Sequence, residues 1–175
     1  MKTICFGDSN TYGYDPRSYF GGRYDADSRW VDIVAAETGW TVYNMGQNGR
    51  EIPSEAPNFP ADTDLLIVML GTNDLLQGRS PELAAERLER FLSDISLNRS
   101  KILLIAPVTL GAWVPSAQLT DDSRTFARLC RSMAEQLGIR FADAGKWNIS
   151  LAYDGVHFTE QGHKAFAAGL LEELK

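Results

Sequence analysis

The sequence has few of the residues that build metal or redox sites. Its 175 residues include only two cysteines and two histidines. Cys5 lies in an apolar run and Cys130 in a stretch of helical pattern, so they form no metal or redox motif. Isolated cysteines of this kind are usually small buried hydrophobic residues. We therefore expect no metal site.

Long apolar runs and a surplus of positive charge are also missing. No run approaches transmembrane length, and the N-terminal residues have no signal-peptide core, which predicts a cytoplasmic protein without a membrane partner. The formal net charge is −6. The nearest approach to a basic cluster, Arg124, Arg128 and Arg131, has the spacing of one solvated helix face, so nucleic acid is not an expected partner.

The remaining composition is that of an ordinary globular chain. Hydrophobic residues make up 44% and charged residues 23%, which argues against disorder. The length suits one domain over residues 1–175, large enough to bury a core without disulfides. No internal repeat or low-complexity linker divides it.

Apolar runs of strand length alternate with helical patterns along the chain. One of them, Leu65–Leu70, is apolar throughout, as in a parallel strand covered on both faces. Ser80, Thr120 and Thr159 are predicted to cap the helices that follow them. The alternation predicts an α/β layered sheet with right-handed crossovers. The predicted strands are Thr3–Phe6, Thr41–Asn44, Leu65–Leu70, Ile102–Ala106 and Arg140–Ala142.

Two segments carry a candidate nucleophile and a candidate base. Ser9, in Gly7-Asp8-Ser9-Asn10, directly follows the first predicted strand, where open α/β sheets bind ligands. His157 stands three residues after Asp154 with a glycine between them, so the carboxylate can orient the imidazole as a general base. Taken singly, each segment is also compatible with an ordinary turn or loop.

Two further segments supply candidate oxyanion donors. Asn73 follows the central predicted strand and brings a side-chain amide to the same edge of the sheet. Gly46 follows the second strand and can offer a backbone N–H. Each also fits a plain turn. Taken together, the segments supply the nucleophile, base, orienting acid and donors that acyl transfer requires.

These segments resemble the ordered sequence blocks of the SGNH (GDSL) hydrolases over nearly the whole chain. The resemblance is nearest to bacterial arylesterase-like and lipase/acylhydrolase-type members. Its blocks here are Gly7-Asp8-Ser9, Gly46 with Gly49 and Arg50, Gly71-Thr72-Asn73-Asp74 and Asp154-Gly155-Val156-His157. Asn10 departs from the commonest pattern, since many members have leucine there.

The resemblance implies both a fold and the roles of individual residues. The implied fold is a flavodoxin-like three-layer α/β/α sandwich with a five-stranded parallel sheet in the order 2-1-3-4-5. Ser9 is implied as the nucleophile, His157 as the base and Asp154 as its orienter. The Ser9 N–H, the Gly46 N–H and the Asn73 amide are the implied oxyanion hole.

The expected function is a serine esterase that cleaves small carboxylic esters, of acetyl type, without a cofactor. Carbohydrate acetylester hydrolysis and acyl transfer on the same site remain open, and so does a homo-oligomer. Two remote alternatives are a flavodoxin-like cofactor-binding module and a catalytically silent binding module. Two neighbours of Ser9 and two aromatic residues of the loops that follow predicted strands are expected to contact the substrate, namely Asp8, Asn10, Tyr12 and Trp113.

Overall fold

The computed structural model describes residues 1–111 and 116–175. In this part of the chain, all strand pairs are parallel and form one sheet in the order β2-β1-β3-β4-β5, which confirms the predicted α/β fold and strand order. The strands are β1 Lys2–Gly7, β2 Thr41–Gly46, β3 Leu65–Met69, β4 Ile102–Ala106 and β5 Arg140–Asp143.

Helices cover both faces of this sheet. The helices are α1 Ser9–Tyr12, α2 Trp30–Thr38, α3 Thr72–Leu76, α4 Pro81–Asp94, α5 Ala117–Leu137 and α6 Glu160–Glu173, with short 3-10 turns at Arg99–Lys101 and Ala144–Lys146. None of the helices within the described ranges has both the length and the apolar character needed to cross a membrane.

The continuous apolar sequence of β3 is explained by burial on both of its faces. Leu66 and Val68 pack with α4 and α5 residues in one core cluster. Leu65 and Ile67 pack with α2 and α6 residues, including Trp30, in the other. Because successive strand side chains point to opposite faces, both sets must be apolar.

The predicted helix starts agree with the structure at two of three positions. The side chains of Ser80 and Thr159 accept hydrogen bonds from the backbone N–H groups three residues on, as N-caps do. The prediction for Thr120 is wrong, because α5 begins one turn earlier with Ser116 as its cap. Both residue types cap well, so composition alone did not distinguish them.

The register of the sheet brings the first three strands to the same edge. Gly7 at the end of β1 is paired with Gly46 at the end of β2 and with Met69 at the end of β3. The loops that follow these strands therefore leave the sheet side by side. This is the edge at which open parallel sheets bind ligands.

Candidate active site

Ser9 is the first residue of α1, which starts almost directly after β1. The carboxylate of Asp8 caps this helix by accepting the Asn10 N–H at 3.0 Å. The helix lies so close to the end of β2 that a Cβ on Gly46 would come within 2.6 Å of the Thr11 carbonyl carbon. A glycine at position 46 therefore permits the packing that presents Ser9 at the sheet edge.

The loop that carries His157 is organised by the carboxylate of Asp154. Its Oδ1 accepts the Val156 N–H at 2.9 Å and the His157 N–H at 3.0 Å. Gly155 has a φ of 69°, a left-handed conformation that favours glycine, and this allows the tight bend. The loop therefore turns the imidazole back toward its own aspartate.

The three predicted catalytic side chains form one continuous series of hydrogen bonds. Asp154 Oδ2 lies 2.7 Å from His157 Nδ1, and His157 Nε2 lies 3.0 Å from Ser9 Oγ. Burial favours the neutral acid at Asp154, but the His157 ring and the two backbone N–H donors outweigh it and hold the pKa of Asp154 below its ordinary value. The aspartate is thus an anion, as an orienting acid must be.

The two predicted oxyanion donors outside α1 differ in whether their N–H group is available. The Asn73 amide donates one N–H to the Arg50 carbonyl at 3.0 Å, which fixes the side chain and leaves its second N–H without an acceptor among residues 1–111 and 116–175. The Gly46 N–H is instead donated to Asn44 Oδ1 at 2.9 Å. Gly46 therefore brings a committed donor, and its clearest role is the close packing of α1.

Comparison with known proteins identifies the family of the chain. Residues 5–165 match the GDSL-like lipase/acylhydrolase family. The chain belongs to this family. No curated protein matches the sequence significantly.

Solved structures share the fold of this acylhydrolase over its whole length. A putative arylesterase from Agrobacterium tumefaciens is 26% identical with a TM-score of 0.80, covering 99% of this chain and 97% of that one. A carbohydrate acetylesterase family member from Sinorhizobium meliloti is 24% identical with a TM-score of 0.81, covering 99% and 96%. An aryl esterase of M. smegmatis is 24% identical with a TM-score of 0.80, covering 99% and 97%.

The expected substrate contacts of this acylhydrolase are for the most part engaged within the protein. Asp8 and Asn10 are only 1% and 5% exposed, and both side chains make internal hydrogen bonds. Tyr12 is half-buried, with the Arg23 guanidinium stacked 4.4 Å from its ring centre. Trp113 lies outside the described residues. Asp8 and Asn10 therefore support the site from within, because burial keeps them from a substrate.

Tyr14, an aromatic residue of the loop after α1 that was not among the predicted site residues, lies against the predicted base. The ring of Tyr14 lies 4.6 Å from the imidazole of His157, centre to centre. Tyr14 stands in the aromatic loop after α1, and its place there gave no sign of which aromatic would reach the site. Its ring forms a wall beside the reacting groups.

The segment that follows β2 is held in place by Arg50 and Asp74. Both residues belong to the family blocks, but no role was predicted for them. Arg50 donates to the Gly7 carbonyl at 2.9 Å, and its guanidinium lies 4.2 Å from the centre of the Phe6 ring. Fully buried Asp74 accepts the Ile52 N–H at 2.8 Å and the Arg87 Nε–H at 3.0 Å. These contacts hold the segment after β2 against β1 and α3.

No metal centre accompanies the triad in the described part of the chain, where no three His, Cys, Asp or Glu residues are grouped to hold an ion. Both cysteines are buried, as expected, and burial raises the pKa of the Cys5 and Cys130 thiols. They are therefore protonated and poor nucleophiles.

The second histidine, His163, is a packing residue beneath the catalytic loop. It is 0% exposed and lies against the rings of Tyr24 and Phe158. Burial, together with the positive charges of Arg29 and His157, lowers the pKa of His163 to about 3. The folded protein therefore contains a neutral imidazole at this position throughout the mildly acidic range.

We predict that His163 makes the fold sensitive to acid. The unfolded chain binds a proton at this histidine below its ordinary pKa of 6.5, whereas the folded chain does so only near 3. Between pH 7 and pH 5 this difference removes about 2 kcal/mol from the free energy of unfolding. His163→Gln should lose that component, which urea unfolding at both pH values measures.

Asp8 works in the opposite direction over part of this range, since burial raises its pKa to about 6. Its contribution is common to both proteins and cancels in the difference between wild type and His163→Gln. Equal loss of stability in the two proteins between pH 7 and pH 5 would contradict the prediction.

Proposed function

We propose that the protein is a serine esterase that hydrolyses small carboxylic esters through an acyl-enzyme on Ser9. The observation that carries the proposal is the unbroken series from Asp154 through His157 to Ser9, with contacts of 2.7 Å and 3.0 Å. Membership of the acylhydrolase family supports the reaction class independently.

In this mechanism His157 moves one proton in each half of the reaction. Its Nε2 takes the proton from Ser9 Oγ as the oxygen attacks the ester carbonyl, and returns it to the departing alcohol. A water then attacks the acyl-enzyme, gives its proton to Nε2, and the carboxylic acid leaves as Ser9 recovers the proton. Asp154 stabilises the imidazolium formed in each half.

The oxyanion of each tetrahedral intermediate is proposed to receive donors from separate loops. The Ser9 N–H at the start of α1 and the second Asn73 amide proton make no hydrogen bond within the described ranges and are available. The Gly46 N–H joins them only if it leaves Asn44 Oδ1. The Gly49 N–H in the same loop is an alternative donor that need not give up a hydrogen bond, because it has no acceptor among the described residues.

The site favours a small acyl group. The Tyr14 ring stands directly beside His157, the imidazole is 21% exposed and Ser9 is only 6% exposed, so little open space surrounds the proposed nucleophile. We infer that an acetyl-type group fits this position better than a long chain. Acyl transfer uses the same intermediate, with an alcohol taking the place of water.

A carbohydrate ester is the second candidate substrate. Tyr19 and Phe20 are each 93% exposed and pack against one another edge to face. Exposed aromatic pairs suit stacking on a sugar or aryl ring, and they equally suit a contact between copies of the chain. Solved structures of the same fold include a protein named as a carbohydrate acetylesterase family member.

The helix after β1 argues against the alternative of a phosphate-binding cofactor module. Such a loop binds phosphate through free N–H groups at a helix N-terminus. Here the Asp8 carboxylate already accepts the Asn10 N–H, and it stands in the position that an anion would take. A buried carboxylate so placed repels phosphate.

We predict that the activity depends on a short acyl chain and on Ser9. On p-nitrophenyl esters from acetate to octanoate, kcat/KM should be highest for the shortest chains. Ser9→Ala should lower it by a factor of about a thousand or more, because the nucleophile is lost. Wild type without turnover on any chain length, or Ser9→Ala with full activity, would refute the esterase.

The second prediction concerns the oxyanion hole. Asn73→Ala should lower kcat by about 100-fold or more with little change in KM, because its donor acts only in the transition state. Asn98→Ala is the matched control, since Asn98 caps a 3-10 turn and, among residues 1–111 and 116–175, its side chain bonds only to Ser100. An unchanged kcat in Asn73→Ala would remove this residue from the oxyanion hole.

A further inference from the structure

Asn10 makes two hydrogen bonds that bracket the catalytic histidine. Its Nδ2 donates to the Val156 carbonyl at 3.1 Å, and its Oδ1 accepts the Phe158 N–H at 2.9 Å. These two bonds are called the amide clamp below. The orientation of the amide is determined by its partners, because the carbonyl can only accept and the N–H can only donate.

The amide clamp connects segments that are distant in sequence. Asn10 follows Ser9 in α1, and its partners lie on either side of His157, whose ring meets a serine 148 residues away. Other hydrogen bonds of the His157 loop connect it to parts of the protein outside α1. Gly111 donates to the Gly155 carbonyl, and the Tyr24 hydroxyl donates to the Phe158 carbonyl. The clamp therefore ties the backbone of the base directly to the helix of the nucleophile.

The α1 end of the clamp is itself held in place. The Asn10 carbonyl accepts the indole Nε1–H of Trp30 at 2.9 Å, and Trp30 is fully buried between the sheet and α6. Asn10 is 5% exposed, so solvent does not compete for its amide. A side chain anchored in this way transmits the position of α1 to the His157 loop.

We propose that Asn10 is a positioning residue that sets the distance from His157 Nε2 to Ser9 Oγ. The proposal rests on the esterase function proposed above. A carboxamide offers one donor and one acceptor in a single plane, whereas the leucine common in the family offers neither. In this chain, the distance between the base and the nucleophile therefore depends on hydrogen bonds that a leucine cannot make.

The test compares Asn10→Leu and Asn10→Asp with wild type. Asn10→Leu removes both bonds while keeping the number of side-chain heavy atoms, and we expect kcat to fall by about 10- to 100-fold while KM stays within about threefold. Asn10→Asp keeps the acceptor for the Phe158 N–H and sets an oxygen against the Val156 carbonyl, so it should also lose kcat. It serves as the second variant if Asn10→Leu does not fold.

A matched control separates positioning from general loss of stability. Leu88 is fully buried in α4, in the core cluster on the other face of the sheet from Trp30. Leu88→Ala should lower the midpoint of urea unfolding but leave kcat within about twofold of wild type well below its melting temperature. An equal fall of kcat in Leu88→Ala would overturn the positioning role.

A spectroscopic readout reports the geometry without any substrate. The proton between His157 Nδ1 and Asp154 should give a low-field ¹H resonance in wild type. We expect this resonance to shift or broaden in Asn10→Leu while the circular dichroism remains native, although the Asn10 amide bonds to Val156 and Phe158 and not to the imidazole. An unchanged resonance together with unchanged kcat would overturn the proposal.

The remaining outcomes are also decisive. If KM rises and kcat is unchanged, Asn10 contacts the substrate and does not position the base. If wild type is inactive, or Ser9→Ala is active, the esterase function fails, and the resonance still tests the clamp. If wild type and the Asn10 variants are equally active, only the positioning proposal fails.

Discussion

The structure depends on the register between β1 and its two neighbours. Parallel pairing aligns Gly7 with Gly46 and with Met69, so three loops leave the sheet at one edge. Those loops carry the proposed nucleophile and the candidate oxyanion donors. The two apolar faces of β3 stabilise this arrangement, because a shift of one residue would exchange its core clusters. The packing of the sheet therefore determines where the proposed site residues lie.

The proposed base, His157, reaches this edge from the loop before α6. Asp154 folds that loop upon itself, and contacts to Gly111, Tyr24 and Asn10 hold it against the rest of the protein. Neutral His163 fills the space below it. The proposed triad is thus built from the edge of the sheet and a separately fastened loop. Its precision depends on the bonds that join the two.

Much of this arrangement could be predicted from sequence, and the exceptions share one physical cause. The strands and the pairing of Asp154 with His157 were predictable because continuous apolar runs and a three-residue spacing are local patterns. The Asn44 side chain that takes the Gly46 N–H, the Tyr14 ring beside His157 and both bonds of Asn10 depend on how distant segments fold together. The cap of α5 at Ser116 was missed because serine and threonine are both favoured N-cap residues and Thr120 lies only one turn further on.

The central claim is that His157 activates Ser9 as the nucleophile. Reaction with an alkyl fluorophosphonate, followed by intact-mass analysis and peptide mapping, tests it most directly. The account predicts one adduct per chain, located on Ser9, and a labelling rate at least about 100-fold slower in His157→Gln. An adduct on another residue, or an equal rate in His157→Gln, would contradict it.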